Sequence, residues 1–284
     1  MKKIVSILLM LSLLGALLAG CKSEEKPVLT VATSPDFAPM IFCDMSKSGQ
    51  EQYVGFDALL AQYIADELGM ELKILPMSFD ACPGAVSSGK ATLAISGFSW
   101  MPERAESYNL SDYYFAGDNE TEQVVVTLKE NKDKFKTAED FNGVKVGAQS
   151  ASFQEALCKE QLAGATIVPV PDLSTALMQL KKGDFDAVAL AKGQAGVFMA
   201  NDDAVALCDF AFTVDPKYVG NVVILKKGDD ELTAKVNAIL AKAKDAGLYE
   251  VWYAQAQVLA GSKTAAEVGY DENGNPVPTE SAGE

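Results

Sequence analysis

The stretch ATLAISGFSWMPER, residues 91–104, decides the fold because it joins a β-rich run to a polar loop and a helix start. The run Ala91–Ile95 is short, apolar and bounded by turn residues, which predicts a buried strand. The loop that follows carries the hydroxyls of Ser96 and Ser99. Between them, Gly97 allows a ligand to approach the backbone closely. We therefore expect a binding loop at the end of a buried strand.

The helix that follows this loop is predicted to carry an arginine in its first turn. Pro102 fits the first position of a helix and places Arg104 just inside it. A guanidinium there can make a bidentate, charge-assisted pair with a carboxylate. The alternative is a surface arginine that caps its own loop, and the chemistry of the stretch leaves both interpretations open.

Strand and helix patterns alternate on the amino-terminal side of this stretch. This alternation is typical of a parallel sheet with helices on its faces. The predicted strands are Val28–Thr33, Glu71–Leu75 and Ala91–Ile95, and the predicted helices are Ala58–Leu68 and Cys82–Ser88.

A second cycle of the same kind follows, which makes the fold class α/β with two lobes. Its predicted strands are Gln123–Leu128, Val144–Gly147, Thr166–Val170 and Ala187–Leu190, with helices Phe153–Leu162 and Leu173–Lys182. The strand Val222–Leu225 and the amphipathic helix Leu232–Ala246 are expected to return to the first lobe. The predicted segments are lobe 1 (28–117), lobe 2 (118–218) and the return segment (219–261), with hinge crossings near 116–121 and 215–220. Loops that follow the strands then face one cleft.

The amino terminus, residues 1–20, is predicted to be a secretory signal. Lys2 and Lys3 precede an apolar run that is too short for a comfortable membrane span. The sequence Leu18-Ala19-Gly20-Cys21 resembles the lipobox of bacterial lipoproteins, which implies that Cys21 is lipidated and anchors the protein on the extracytoplasmic face of the cell membrane. The alternative is an ordinary signal peptide followed by a cysteine. Residues 21–27 are predicted to be a tether and residues 262–284 a disordered tail.

Composition excludes several classes of function. The chain has no histidine, so no Ser-His-Asp or Cys-His pair and no imidazole zinc site can form. A net charge of -15 argues against a nucleic-acid partner. We predict no catalytic residue, no metal and no cofactor.

Four cysteines remain in the body of the chain, and an extracytoplasmic location permits disulfides. The predicted fold puts Cys43 and Cys82 in one lobe and Cys158 and Cys208 in the other. We predict a Cys43–Cys82 disulfide; the alternative is buried free thiols.

Several ordered blocks of sequence carry a family resemblance. They are Gly55-Phe56-Asp57, Ser88-Gly89-Lys90, the Ser-Gly-x-Ser-x-x-Pro-Glu-Arg stretch that ends at Arg104, and Leu110–Tyr114. Together they resemble the family-3 solute-binding proteins of bacterial ABC importers, which include polar amino-acid receptors, over about Val28 to Tyr253. The resemblance implies a two-lobed, periplasmic-binding-protein-like fold (type II) that closes on a small ligand about a two-segment hinge. It also implies ABC permease subunits as partners, and we expect a monomer.

The resemblance implies a role for each residue that matches the family's site. Aromatic side chains sandwich the ligand, the arginine holds its α-carboxylate, and loops of both lobes add hydrogen bonds. The matching residues are Phe37 and Phe79 for the sandwich, Arg104 for the carboxylate, Ser96, Gly97 and Ser99 in lobe 1, and Ala151 and Ser152 in lobe 2.

One position departs from the family pattern. The family usually places an aspartate that grips the ligand's ammonium where this chain has Ala191, followed by Lys192. Lys192 would favour a second anionic group if it pointed into the cleft; the alternative is a solvated surface lysine. Ser34 stands where many relatives have an acid, which disfavours basic amino acids as cargo.

Two other functions remain open on this fold. One is a dehydratase acting on cyclohexadienyl acids, for which Asp36 or Glu103 would have to be the general acid. The other is a ligand-sensing module of a receptor.

Overall fold

The computed structural model describes residues 26–115, 122–215, 217–218 and 220–279. The predicted signal peptide, Cys21, residues 22–25 of the tether and residues 280–284 of the tail lie outside this range. So do the predicted crossing at 116–121 and two residues of the crossing near 215–220. Among the described residues, no helix has both the length and the hydropathy that a membrane span requires.

Thirteen strands are described, numbered in chain order. They are β1 (Val28–Thr33), β2 (Asp36–Phe37), β3 (Ile41–Cys43), β4 (Tyr53–Val54), β5 (Glu71–Pro76), β6 (Leu93–Ala94), β7 (Asn109–Leu110), β8 (Gln123–Leu128), β9 (Lys145–Gln149), β10 (Thr166–Val170), β11 (Ala187–Ala191), β12 (Val205–Ala211) and β13 (Ile224–Leu225).

Nine α-helices are described. They are α1 (Phe56–Glu67), α2 (Cys82–Ser87), α3 (Pro102–Ser107), α4 (Phe153–Gln161), α5 (Leu173–Lys182), α6 (Lys192–Asn201), α7 (Asp230–Asp245), α8 (Leu248–Leu259) and α9 (Ala265–Val268). Short 3-10 turns cover Gly49–Gln52, Phe79–Ala81, Lys129–Lys134 and Ala138–Phe141.

The first lobe is built on a sheet in the order β5-β1-β6-β13-β7. Strand β1 pairs in parallel with β5 and β6, as the alternating pattern predicts. Strand β13 comes from the far end of the chain and pairs antiparallel with β6 and β7. The chain thus leaves this sheet after β7 and comes back to it at β13.

The second lobe is built on a sheet in the order β10-β9-β11-β8-β12. Strand β9 pairs in parallel with β10 and β11, whereas β8 runs antiparallel to β11 and β12. Both sheets are therefore mixed, and both belong to an α/β fold. Strand β12 and helices α6 and α8 are absent from the sequence prediction, as is a small separate sheet of β2, β3 and β4.

An aromatic cluster fixes helix α8 against helix α1 of the first lobe. The Phe56 ring lies 5.6 Å from that of Tyr249 and 6.0 Å from that of Trp252. Such edge and tilted arrangements favour the ring quadrupoles and add to the area buried. Helix α8 is thereby anchored to lobe 1.

The predicted disordered tail is wrong for residues 262–279. Thr264 and Glu267 form a capping box at the start of α9. Tyr270 then bridges to Pro276, and the Gln255 side chain donates to the Glu272 carbonyl at 2.9 Å. Composition alone suggested disorder, but local caps and these contacts to α8 hold the segment in place.

The predicted Cys43–Cys82 disulfide is also wrong, because all four cysteines of the described chain are free thiols. Cys43 is half-buried on β3 of the small sheet. Cys82 starts α2 and packs among Phe79, Ala85 and Phe98. Burial raises the pKa of the Cys82 thiol to about 12, so the thiol stays protonated.

Candidate functional site

Asp57 ties together three of the blocks that carry the family resemblance. Its carboxylate accepts a hydrogen bond from the Gly97 N–H at 2.8 Å and another from the Tyr114 hydroxyl at 3.0 Å. Asp57 is 1% exposed, and burial raises its pKa to about 7, although these two hydrogen bonds lower it in part. The side chain thus fixes the loop after β6 from the first turn of α1. The sequence pattern alone predicted no role for Asp57.

Glycine is required at position 97 for two reasons. Its φ is +59°, in the left-handed region that other residues avoid. A β-carbon there would also strike the ring of Phe37, with Cδ1 only 2.8 Å away. The ring of Phe37 therefore lies directly on the backbone of the loop.

Arg104 is the only arginine in the chain and lies buried between the two lobes, 8% exposed. Its Nη1 donates to the Ser99 carbonyl of lobe 1 at 2.6 Å, and its Nη2 donates to the Ala151 carbonyl of lobe 2 at 2.7 Å. The guanidinium carbon lies 5.6 Å from the ring centre of Phe79 and 5.3 Å from that of Phe98. The contact with Ser99 matches the loop-capping interpretation, but the burial and the contact across the cleft do not fit a surface arginine.

The lobe 2 side of this contact is the start of helix α4. Ala151 has a φ of +60°, an uncommon conformation for a residue with a side chain. Its N–H donates to the Glu155 carboxylate at 2.7 Å, and the Ser152 hydroxyl accepts from the Glu155 N–H at 3.0 Å. These bonds cap α4 and turn the Ala151 carbonyl towards Arg104. An arginine beside a helix N-terminus is a favourable setting for an anion.

Two cavities lie between the lobes at this point. The inner cavity has a volume of about 20 Å³, and its lining is Phe37, Phe79, Gly97, Ser99, Gln149, Phe153, Gln154, Leu173, Ala189, Leu190 and Ala191. The outer cavity has a volume of about 390 Å³, and its lining includes Phe79, Phe98, Glu103, Arg104, Ala151, Ser152 and Lys159. Phe79 borders both. An inner cavity of this size has room for about one water, so the lobes are closed on each other.

Most of the residues expected at the site line one of these cavities. Those that do are Phe37, Phe79, Gly97, Ser99, Arg104, Ala151, Ser152 and Ala191. The Gly97 N–H and the Ser152 hydroxyl are already used within their own lobes, by Asp57 and as the cap of α4.

Ser96 and Lys192 are placed elsewhere. The Ser96 hydroxyl is fully buried and bonds to the backbone of Ser34, accepting from its N–H at 3.0 Å. The Lys192 side chain is 45% exposed and forms an ion pair with Glu122. Ala191 ends strand β11 and faces the inner cavity, so the next side chain points away from it. Lys192 thus lies outside both cavities, the arrangement that a solvated surface lysine would have.

Six residues of the inner cavity were missed in the sequence. Ala189 and Leu190 lie within strand β11, and the other four are Gln149, Phe153, Gln154 and Leu173. Gln149 ends strand β9, Phe153 and Gln154 begin α4, and Leu173 begins α5. The available signal was their position in loops after lobe 2 strands, where ligands of α/β sheets bind.

Two α/β lobes that close on a buried arginine and a helix start define the class of type II periplasmic binding proteins, which bind solutes outside the cytoplasm. Residues 29–256 match the bacterial extracellular solute-binding proteins, family 3, and the chain belongs to this family. It is a binding protein of the ABC-transporter type and not an enzyme.

The similar proteins include binding proteins and one enzyme. The chain is 29% identical over 240 residues to the arginine-binding extracellular protein ArtP of Bacillus subtilis, covering 83% of this chain and 88% of ArtP. The structure is similar to that of the amino acid ABC transporter substrate-binding protein AbpA from Streptococcus pneumoniae bound to L-arginine. That match has a TM-score of 0.74 and 33% identity, and covers 83% of this chain and 95% of AbpA. A cyclohexadienyl dehydratase of Pseudomonas aeruginosa is 29% identical over 164 residues, covering 57% of this chain and 58% of the dehydratase.

Proposed function

We propose that this protein is a monomeric lipoprotein that captures an amino acid or a related small carboxylate and presents it to the permease of an ABC importer. The observation that carries the ligand class is the buried guanidinium of Arg104, which contacts both lobes at once. The family membership supports the importer. The lipobox-like sequence ending at Cys21 supports the anchor.

A carboxylate is the ligand group that suits Arg104. The guanidinium now donates to two neutral carbonyl groups, and an ionised carboxylate is a stronger acceptor that matches its fork geometry. The rings of Phe79 and Phe98 lie against the guanidinium and exclude water. A ligand carboxylate would replace the Ala151 carbonyl as the acceptor for Nη2 of Arg104. It would then lie between Arg104 of lobe 1 and the start of helix α4 of lobe 2.

The rest of the ligand is proposed to be neutral or anionic. Among the described residues that line the inner cavity, the polar side chains are Ser99, Gln149 and Gln154, and none is acidic. Asp36, which bonds to two residues of this lining, accepts hydrogen bonds from Ser34, Gln149 and Leu173. The similar proteins named for arginine do not extend that cargo to this chain, because no described acid lines the inner cavity; Asp80, Glu103 and Glu155 line the outer one.

The dehydratase alternative lacks a suitable proton donor. Burial raises the pKa of Asp36, but its carboxylate accepts three hydrogen bonds. It therefore acts as a hydrogen-bond acceptor and not as a proton donor. Glu103 lines the outer cavity and not the inner one.

A thermal-shift screen across amino acids, dicarboxylates and short peptides tests the proposed ligand class. A solute at 100 times its Kd adds about 2.7 kcal/mol to the free energy of unfolding, which is readily visible as a rise in Tm. We expect shifts from solutes that carry a free carboxylate and lack a cationic side chain. A screen in which no carboxylate raises Tm, or in which only basic amino acids do, would overturn the proposal.

The proposed anchor has a separate test. The chain expressed from its own signal sequence is expected in the membrane fraction, with acyl groups detected on Cys21 by mass spectrometry. Cys21→Ser should release it to the soluble fraction; equal partition of both forms would contradict the anchor.

A further inference from the structure

Asp36 belongs to lobe 1 but makes two of its hydrogen bonds with lobe 2. Its Oδ2 accepts from the Gln149 side-chain nitrogen at 2.9 Å and from the Leu173 N–H at 2.8 Å. On its own side of the cleft, Oδ1 accepts from the Ser34 hydroxyl at 2.6 Å. A single carboxylate therefore spans the cleft with three donors.

The bond to Leu173 satisfies a group that helix α5 cannot satisfy itself. Leu173 is the first residue of α5, and the first N–H groups of a helix have no partner within it. Asp172 caps the third residue of the helix by accepting from the Thr175 N–H at 2.7 Å. Helix α5 thus has two carboxylate caps, one from its own lobe and one from the opposite lobe. Only the cap by Asp36 is lost when the lobes separate.

The bond to Gln149 decides how that side chain faces the inner cavity. An ionised carboxylate only accepts hydrogen bonds, so the atom of Gln149 that meets Asp36 is the amide nitrogen. The carbonyl oxygen is then the atom left for the cavity that Gln149 lines. Ala191 ends the neighbouring strand β11 of the same lobe and has no side-chain acceptor for a ligand N–H.

We propose that Asp36 is a positioning residue that holds the two lobes closed and turns the Gln149 carbonyl oxygen towards the ligand, where it accepts a ligand N–H. The part concerning the ligand rests on the proposed function. The closing and orienting parts do not, because they are contacts within the protein. A ligand recognised in this way carries its carboxylate on Arg104 and an N–H donor, charged or neutral, near Gln149.

Hydrogen exchange followed by NMR on the full mature chain tests the proposal without any ligand. Asp36→Asn should speed exchange of the Leu173 amide and of the Gln149 side-chain amide at least about tenfold, the loss expected for a hydrogen bond to a charged group. Small-angle scattering should show a larger radius of gyration. Asp172→Asn is the matched control, because it removes a carboxylate cap from the same helix inside lobe 2. It should expose the Thr175 amide and leave the radius of gyration unchanged.

A second pair of variants covers the case in which Asp36→Asn does not fold. Leu173→Pro removes the donor at a helix position that tolerates proline, and the extended backbone of Asp172 suits the residue before a proline. Leu173→Ala keeps the N–H and removes the side chain. Opening of the lobes in Leu173→Pro but not in Leu173→Ala supports the proposal. Unchanged scattering and unchanged Gln149 exchange in Asp36→Asn, or equal opening in both Leu173 variants, would overturn it, whether or not a ligand is ever found.

Discussion

Replacement of Arg104 by methionine should weaken ligand binding far more than it weakens the fold. Methionine keeps an unbranched stem against Phe79 and Phe98 but removes the guanidinium that donates to Ser99 at 2.6 Å and to Ala151 at 2.7 Å. A ligand carboxylate would then be buried without its cation, which costs about 2–5 kcal/mol. That corresponds to roughly a 30-fold to several-thousand-fold rise in Kd.

Isothermal titration calorimetry with the best carboxylate from the thermal-shift screen measures this loss. Arg104→Lys should lie between wild type and Arg104→Met, because an ammonium keeps the charge and loses the fork. Lys192→Met is the matched control, since it removes an exposed cation that pairs with Glu122 away from both cavities. An Arg104→Met protein that binds within threefold of wild type would refute the role of Arg104, and so would an equal loss in Lys192→Met.

Three further predictions concern the surroundings of Arg104. Asp57 has a pKa of about 7 in the folded protein against an ordinary value of 3.8, so protonation favours the folded state. Urea titrations should therefore show that the unfolding free energy of wild type, relative to Asp57→Asn, rises as pH falls from 8 to 5, by about 2–3 kcal/mol; a flat difference would contradict the buried carboxylate. Gly97→Ala should lower stability by about 1–2 kcal/mol and weaken binding, because alanine is strained at this φ and displaces the Phe37 ring; thermal unfolding and calorimetry check both, and an unchanged protein would be against it. Ala191→Asp should strengthen binding of a free α-amino acid relative to its N-acetyl form, as competition calorimetry would show, and an unchanged ratio would mean that Ala191 does not face the ligand's nitrogen.

The parts of the fold that repeat strand and helix periods were predictable from the sequence. Strand β1 and helix α5 appear at the predicted residues, because a buried apolar run and a capped amphipathic helix are local patterns. Strands β2, β3 and β4 were not predictable, since each has only two or three residues. Their pairing depends on contacts that no local pattern records.

Some residues of the site were likewise predictable from local patterns, and others were not. Arg104 and Gly97 were predictable because a proline-led helix start and a glycine after a strand have a direct physical meaning. The direction of the Lys192 side chain was not predictable, because which of two consecutive residues at a strand end faces the cleft depends on packing. The roles of Asp36 and Asp57 were missed for a related reason: their partners lie on other elements, up to 137 residues away in the case of Leu173.

A calorimetric comparison of one amino acid with its carboxamide tests the central claim, capture of a carboxylate by Arg104, most directly. The two solutes differ only in the charged group proposed to meet the guanidinium. Binding of the free acid with a Kd at least about 100-fold lower than that of the amide is the result predicted here, the order expected when a buried charge pair is lost. Equal affinities would contradict the claim, because Arg104 would then not distinguish a carboxylate from a neutral amide.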